Sequence, residues 1–188
     1  LKGLAIVGKK ADELGSYDRA VGQTIIRGLF ATITNANFDD AVIGRLILEA
    51  AAQRDAIRIQ CEKQDAEWAK SLPDAATWAP KKGEDLQVKS LLVGIPMEPN
   101  EDVRSLQQLL IIGLKGIAAY ADHAQVLGYE DDAIYRFVVD GLISTTQKLS
   151  VDEMVGLVLK AGEIAVTTMA LLDKANTETY GNPEITKV

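Results

Sequence analysis

The segment Leu1-Lys2-Gly3-Leu4-Ala5 returns 113 positions later as Leu114-Lys115-Gly116-Ile117-Ala118. Without a gap, Ala11 then falls on Ala124, Leu14-Gly15 on Leu127-Gly128, and Asp18 on Asp131. Ala20 falls on Ala133, Gly28-Leu29 on Gly141-Leu142, Thr32 on Thr145 and Asp39 on Asp152. Such self-similarity constrains architecture before local propensity does, because each unit reports on the other. The second copy is preceded by Ser105-Leu106-Gln107-Gln108-Leu109-Leu110-Ile111-Ile112-Gly113, half of an apolar helix, and the first copy opens without one. The sequence is therefore expected to be a piece of a longer chain, cut inside a helix.

In the second copy Leu106, Leu109, Leu110, Leu114, Ile117, Ala118, Ala121 and Ala124 recur at three- and four-residue steps. Those steps place them on one stripe of a helix. Asn100 is the expected N-cap, with Glu101 and Asp102 complementing the helix N-terminus. Gly128 is placed to end the helix in a left-handed turn. A second helix is expected from Asp131 to Gln147, with Ile134, Phe137, Val138, Gly141 and Leu142 inward. Ser150-Val151-Asp152-Glu153 has the form of a capping box. The third helix is expected to turn Met154, Leu157, Val158, Ala161, Ala165, Thr168, Met169 and Leu172 inward.

The first copy reads alike. A helix runs to Leu14, a second spans Asp18 to Ile33, and a third begins after Asn37-Phe38-Asp39-Asp40, with Asn37 as cap. That third helix continues through Arg54 towards Ala69. Pro73, Pro80, Pro96 and Pro99 break the pattern between Ser71 and Asn100, although Trp78, Leu86, Val88, Leu91, Leu92, Val93 and Ile95 are apolar enough to pack. The expected fold is all-α. Two antiparallel three-helix bundles, residues 1–70 and 101–175, are related by internal duplication and joined by residues 71–100. Residues 176–188 form a tail, with turn chemistry at Gly181-Asn182-Pro183. Its extended end, Ile185-Thr186-Lys187-Val188, leads towards a missing α/β domain.

Few residues offer chemistry. The formal net charge of −7 and scattered basic residues argue against a nucleic-acid groove. A single cysteine, Cys61, excludes an intrachain disulfide and a cysteine-built metal site within these residues. No apolar run reaches the length of a membrane span, and no membrane or nucleic-acid partner is expected. His123 is the only histidine, so neither a histidine pair for zinc nor a Glu-x-x-His pair from each of two helices can form. It reads as a structural or solvent-facing residue. Glu130-Asp131-Asp132 reads as a cap with dipole partners at a helix start. Cys61, between Gln60 and Glu62, lacks the cationic setting of a reactive thiol. Gly3, Gly8, Gly113 and Gly116 form no phosphate loop, and their placement inside helices suggests close helix–helix approach. No catalytic, cofactor-binding or metal-ligating residue is expected in this chain.

Several long stretches carry a resemblance. Ala31-Thr32-Ile33-Thr34-Asn35-Ala36-Asn37-Phe38-Asp39 resembles a signature stretch of the hybrid cluster protein family, the prismane or hydroxylamine reductase proteins. So do Asp102-Val103-Arg104-Ser105-Leu106 with Leu109 to Ala121, and Thr167 to Asp173 leading on to Thr179-Tyr180-Gly181-Asn182-Pro183-Glu184-Ile185-Thr186-Lys187-Val188. The likeness covers essentially the whole chain, is weakest from Ile57 to Glu98, and is greatest to proteins of sulfate-reducing bacteria. It implies a cytoplasmic iron–sulfur oxidoreductase that reduces hydroxylamine to ammonia, with nitric oxide reduction as a proposed physiological task. It also implies an N-terminal domain of two three-helix bundles followed by two α/β domains, which would be this chain's partners; the electron donor stays open. One iron–sulfur cluster would be bound by cysteines upstream of Leu1. A hybrid iron–sulfur–oxygen cluster would be held by cysteine, histidine and glutamate residues downstream of Val188. None of the family's ligands lands on a position of this chain: Cys61 and His123 fall in neither ligand motif. Possession of both bundles implies the longer form of the family.

Two functions follow as alternatives. One is the helical domain of a redox enzyme, inactive alone. The other is a stand-alone helical-repeat module that binds a partner through an exposed face. In such a module the shortened first helix is expected to leave Leu4, Val7 and Ala11 short of packing neighbours, so that the chain is less stable or self-associates.

Overall fold

The computed structural model describes residues 1–35, 39–80, 84–92 and 98–184. Among them are nine helices and no strand: α1 (Lys2–Glu13), α2 (Arg19–Thr34), α3 (Asp40–Gln64), α4 (Ala66–Lys70), α5 (Asp74–Thr77), α6 (Glu84–Leu92), α7 (Glu101–Val126), α8 (Asp132–Ser144) and α9 (Val151–Tyr180). The all-α expectation holds.

Helix ends recur with the sequence. The Asp18 side chain accepts from the Ala20 amide at the start of α2, and Asp131 accepts from the Ala133 amide at the start of α8. Leu14 and Leu127 close α1 and α7 with nearly the same backbone angles. Each is followed by a glycine at positive φ, +78° at Gly15 and +84° at Gly128. There the chain reverses: Ser16 and Tyr129 donate their amides back to Ala11 and Ala124. A side chain at that φ would be strained, so glycine is the residue that permits the turn. The recurrence slips by two residues at the third helices, where Asp39 caps α3 and Ser150 caps α9.

Several expectations change. Asp39, not Asn37, caps α3, because the Asp39 carboxylate accepts from the Val42 amide; Asn37 lies outside the described residues, as do Lys81, Lys82, Val93, Ile95, Pro96 and Ile185–Val188. The helix expected to reach Ala69 ends at Gln64, where Asp65 turns the chain and caps α4. The α8 helix stops at Ser144 rather than Gln147, since the Thr145 and Thr146 hydroxyls bond backbone carbonyls of the last turn. The tail does not begin at Asn176: α9 continues to Tyr180 and stops at Gly181. Residues 71–100 contain α5 and α6, with Ala76 fully buried, but Val88 is exposed.

Leu4, Val7 and Ala11 are buried rather than short of neighbours. The backbone of α5 lies directly on Gly3, and α3 and α8 cover the rest of α1. The core runs without interruption from Leu4, Ile25 and Ile26 through Leu110, Leu114 and Ile117 to Ile134, Val138 and Met154. Its packing is reciprocal: α1 lies on α8 as α7 lies on α2, and α2 meets α8. Leu1 fits into the space left by Gly28, and its counterpart Leu114 fits into the space left by Gly141.

The α9 helix packs along α7 by Met154, Ala161, Thr168 and Ala175, which recur every seven residues. Met169 and Leu109, both expected inward, are half exposed at 50% and 51%. By length and composition alone α9 would cross a membrane, with a mean hydropathy of 1.7 over its most apolar window. That apolarity was not visible as a single uncharged run, because Lys160 and Glu163 interrupt it.

Candidate functional site

The densest polar constellation lies where the α1–α2 and α7–α8 helix pairs meet. Arg19, the first residue of α2, donates Nε and Nη2 to the two oxygens of Asp132, at 2.7 and 3.0 Å. Asp132 is the first residue of α8, and the pair stands 113 positions apart, at corresponding sites of the repeat. Tyr17 donates its hydroxyl to the same carboxylate at 3.0 Å. Arg136, one turn further along α8, makes a two-toothed contact with Asp12 at 2.9 and 3.0 Å and stacks over the Tyr17 ring at 3.9 Å.

A second layer lies deeper. Tyr135 is buried and donates to Glu130 at 2.7 Å, and the Gln23 amide donates to the same oxygen at 2.8 Å. Gly22 makes this possible, since a Cβ there would lie 2.5 Å from Tyr135 Cβ. Gly22 and Tyr135 are again corresponding positions, one empty and one filled.

These contacts set the protonation states. The Arg19 guanidinium holds the Asp132 carboxyl below the usual carboxylate range, with Tyr17 acting in the same direction. Arg136 does the same for Asp12. Burial, with help from Asp132, pushes the Tyr17 hydroxyl up to about 12. Burial and Glu130 likewise raise the Tyr135 hydroxyl. Both tyrosines thus stay protonated near neutrality, while Asp12, Glu130 and Asp132 each have a donor. A general base or nucleophile needs a lone pair free for substrate, and this network directs its groups at one another. It acts as a clamp between the helix pairs.

The residues singled out in the sequence are dispersed. Cys61 is buried on α3, where burial raises its thiol against the opposing influence of Lys10. His123 is exposed on α7, edge-on to Phe30 with ring centroids 5.3 Å apart. Of the acidic run, Asp131 is the expected cap, but Glu130 and Asp132 reach across to α2 instead of serving only the helix dipole. Among the described residues no three His, Cys, Asp or Glu side chains converge as metal ligands. A buried protonated thiol and a distant exposed imidazole do not fit an iron–sulfur cluster, which requires converging thiolates.

The fold and this clamp define a class, a helical scaffold whose polar chemistry serves to hold its own helices. The description of the Prismane/CO dehydrogenase family matches residues 1–188, and the chain belongs to that family. It is 54% identical over 193 residues to a hydroxylamine reductase of Nitratidesulfovibrio vulgaris, covering all of this chain and 35% of that protein. It is 52% identical to a hydroxylamine reductase of Desulfosudis oleivorans and 48% identical to one of Clostridium novyi, covering all of this chain and 34% of each. The chain thus spans about a third of the length of the curated relatives it matches.

Proposed function

We propose that these residues are the helical domain of a cytoplasmic iron–sulfur oxidoreductase resembling hydroxylamine reductase. In this reading the whole protein reduces hydroxylamine to ammonia, and its partners within the same chain are α/β domains that carry a hybrid iron–sulfur–oxygen cluster. The full-length match to relatives about three times as long carries the proposal. The helical domain acts as scaffold: it packs beside the catalytic domains and shapes access to the buried cluster, and its own side chains bind no iron. The repeat of caps, turns and glycine-seated leucines supports descent of its two halves from one duplicated unit.

The test compares the 188-residue chain with a polypeptide of relative length after anaerobic iron–sulfur reconstitution. The long chain is expected to take up iron and to form ammonia from hydroxylamine with a reduced dye. The short chain is expected to show neither stoichiometric iron nor a charge-transfer band. Iron uptake by the short chain, or an iron-loaded long chain inert towards hydroxylamine, would overturn this reading.

A further inference from the structure

Gly3 and Gly116 are corresponding residues on the outer faces of α1 and α7, yet they have opposite surroundings. A Cβ on Gly3 would fall 1.7 Å from the Ala75 carbonyl oxygen, because α5 lies with its backbone on that glycine. A Cβ on Gly116 would meet nothing within 4 Å among the described residues. In the first half the covering segment is fixed by Arg54 of α3, which donates Nη1 to the carbonyls of Ala75 and Trp78. With the caps Asp39 and Ser150 aligned, Ala51 corresponds to Gly162 and Arg54 to Ala165. Gly162 is likewise open.

The bare positions form one face. Gly113 of α7 lies against Ala161 of α9, with a Cβ distance of 3.7 Å, and the two helices run in the same direction. Helical spacing from that contact places Leu109, Ile112 and Gly116 on the same side as Val155, Gly162 and Val166, away from α8. Ile112 is 66% exposed and Val166 68%. The two glycines lower the middle of this face into a trough between the apolar side chains.

We propose that this trough seats a short helical segment, backbone first, as Gly3 seats α5. The occupant comes from the part of a relative-length chain outside these 188 residues, so the proposal rests on the domain reading above. Its chemistry follows from the seat. Two glycines admit close backbone approach, and Ala165 offers no side-chain donor where Arg54 does. The segment therefore presents small apolar residues and satisfies its own carbonyls. A second copy of the chain is the poorer occupant, because exposed Asp152 and Asp173 edge α9 and would stand among like charges across a two-fold contact.

The test places single cysteines at Ile112→Cys and Val166→Cys, in both the 188-residue chain and the relative-length protein, and follows alkylation by mass spectrometry. Native Cys61, 2% exposed, is the slow internal reference. Both new thiols are expected to react freely in the short chain and about tenfold or more slowly in the long one, as burial under a docked segment requires. Gly116→Leu is expected to lower the melting temperature of the long protein, and to leave that of the short one at or above its starting value, because leucine is the better helix former where space is open. Equal alkylation in the two proteins would overturn the proposal. So would concentration-dependent protection in the short chain, which would identify a second copy as the occupant. The readout works on apoprotein, so a failure of hydroxylamine reduction leaves it intact, and a failure of protection leaves the enzymatic reading intact.

Discussion

Arg19 and Asp132 show how far two corresponding residues can diverge when they end up in contact. A base on one side and an acid on the other make an ion pair from positions that would repel if they were alike. The consequence is measurable with pH. Asp12 and Asp132 both titrate below their ordinary range in the folded chain. The stability they contribute is therefore complete above the unfolded carboxylate value, about 4, and is lost as pH falls through it towards the lowered folded values. Urea denaturation between neutral and acid pH is expected to show this loss. A variant carrying both Arg19→Ala and Arg136→Ala is expected to lose less on acidification, because its two aspartates titrate closer to their unfolded values. An unchanged pH slope would count against the clamp. Little of this pairing was legible in the sequence, where Glu130-Asp131-Asp132 reads as the start of one helix. The signal was present in the repeat itself, as opposite charges at matching positions, but it acquires meaning only once α2 and α8 are known to touch.

Helix ends were the most legible elements, because caps depend on neighbours a few residues away. Asn100 accepts from the Asp102 and Val103 amides, and the Ser150–Glu153 box is complete in both directions. Ser150→Ala is expected to cost about 0.5–2 kcal/mol by chemical denaturation, as losing an N-cap does, with Ser150→Thr restoring most of it. Inward faces were less legible. An apolar stripe on α7 or α9 is wider than the contact it makes, so Leu109 and Met169 belong to the pattern yet remain half exposed. Periodicity identifies the apolar side of a helix, whereas the neighbour's position decides which part of that side is covered. Gly116 makes the same point: its sequence context nearly matches that of Gly3, yet α5 covers Gly3 and leaves Gly116 open.

At the scale of the molecule, the continuous core joins the two halves of the repeat, with α1 on α8 and α2 on both α7 and α8. Cooperative unfolding follows from shared burial. The fluorescence of Trp68 and Trp78, both on the first-half side, and far-UV circular dichroism, to which the helices of both halves contribute, are expected to report a single coincident thermal transition. Two resolved transitions would show that the halves are energetically separate. The repeat made the recurring helix ends legible, but the way the helices interlock depends on long-range packing that no local pattern specifies. Where they interlock, Gly22 offers a vacancy and Tyr135 the ring that fills it. Two first halves brought together would leave a void at that point and set arginine against arginine. Two second halves would collide ring against ring and oppose aspartate to aspartate. Each half therefore carries at the seam the group that its counterpart lacks, a ring for a vacancy and an acid for a base.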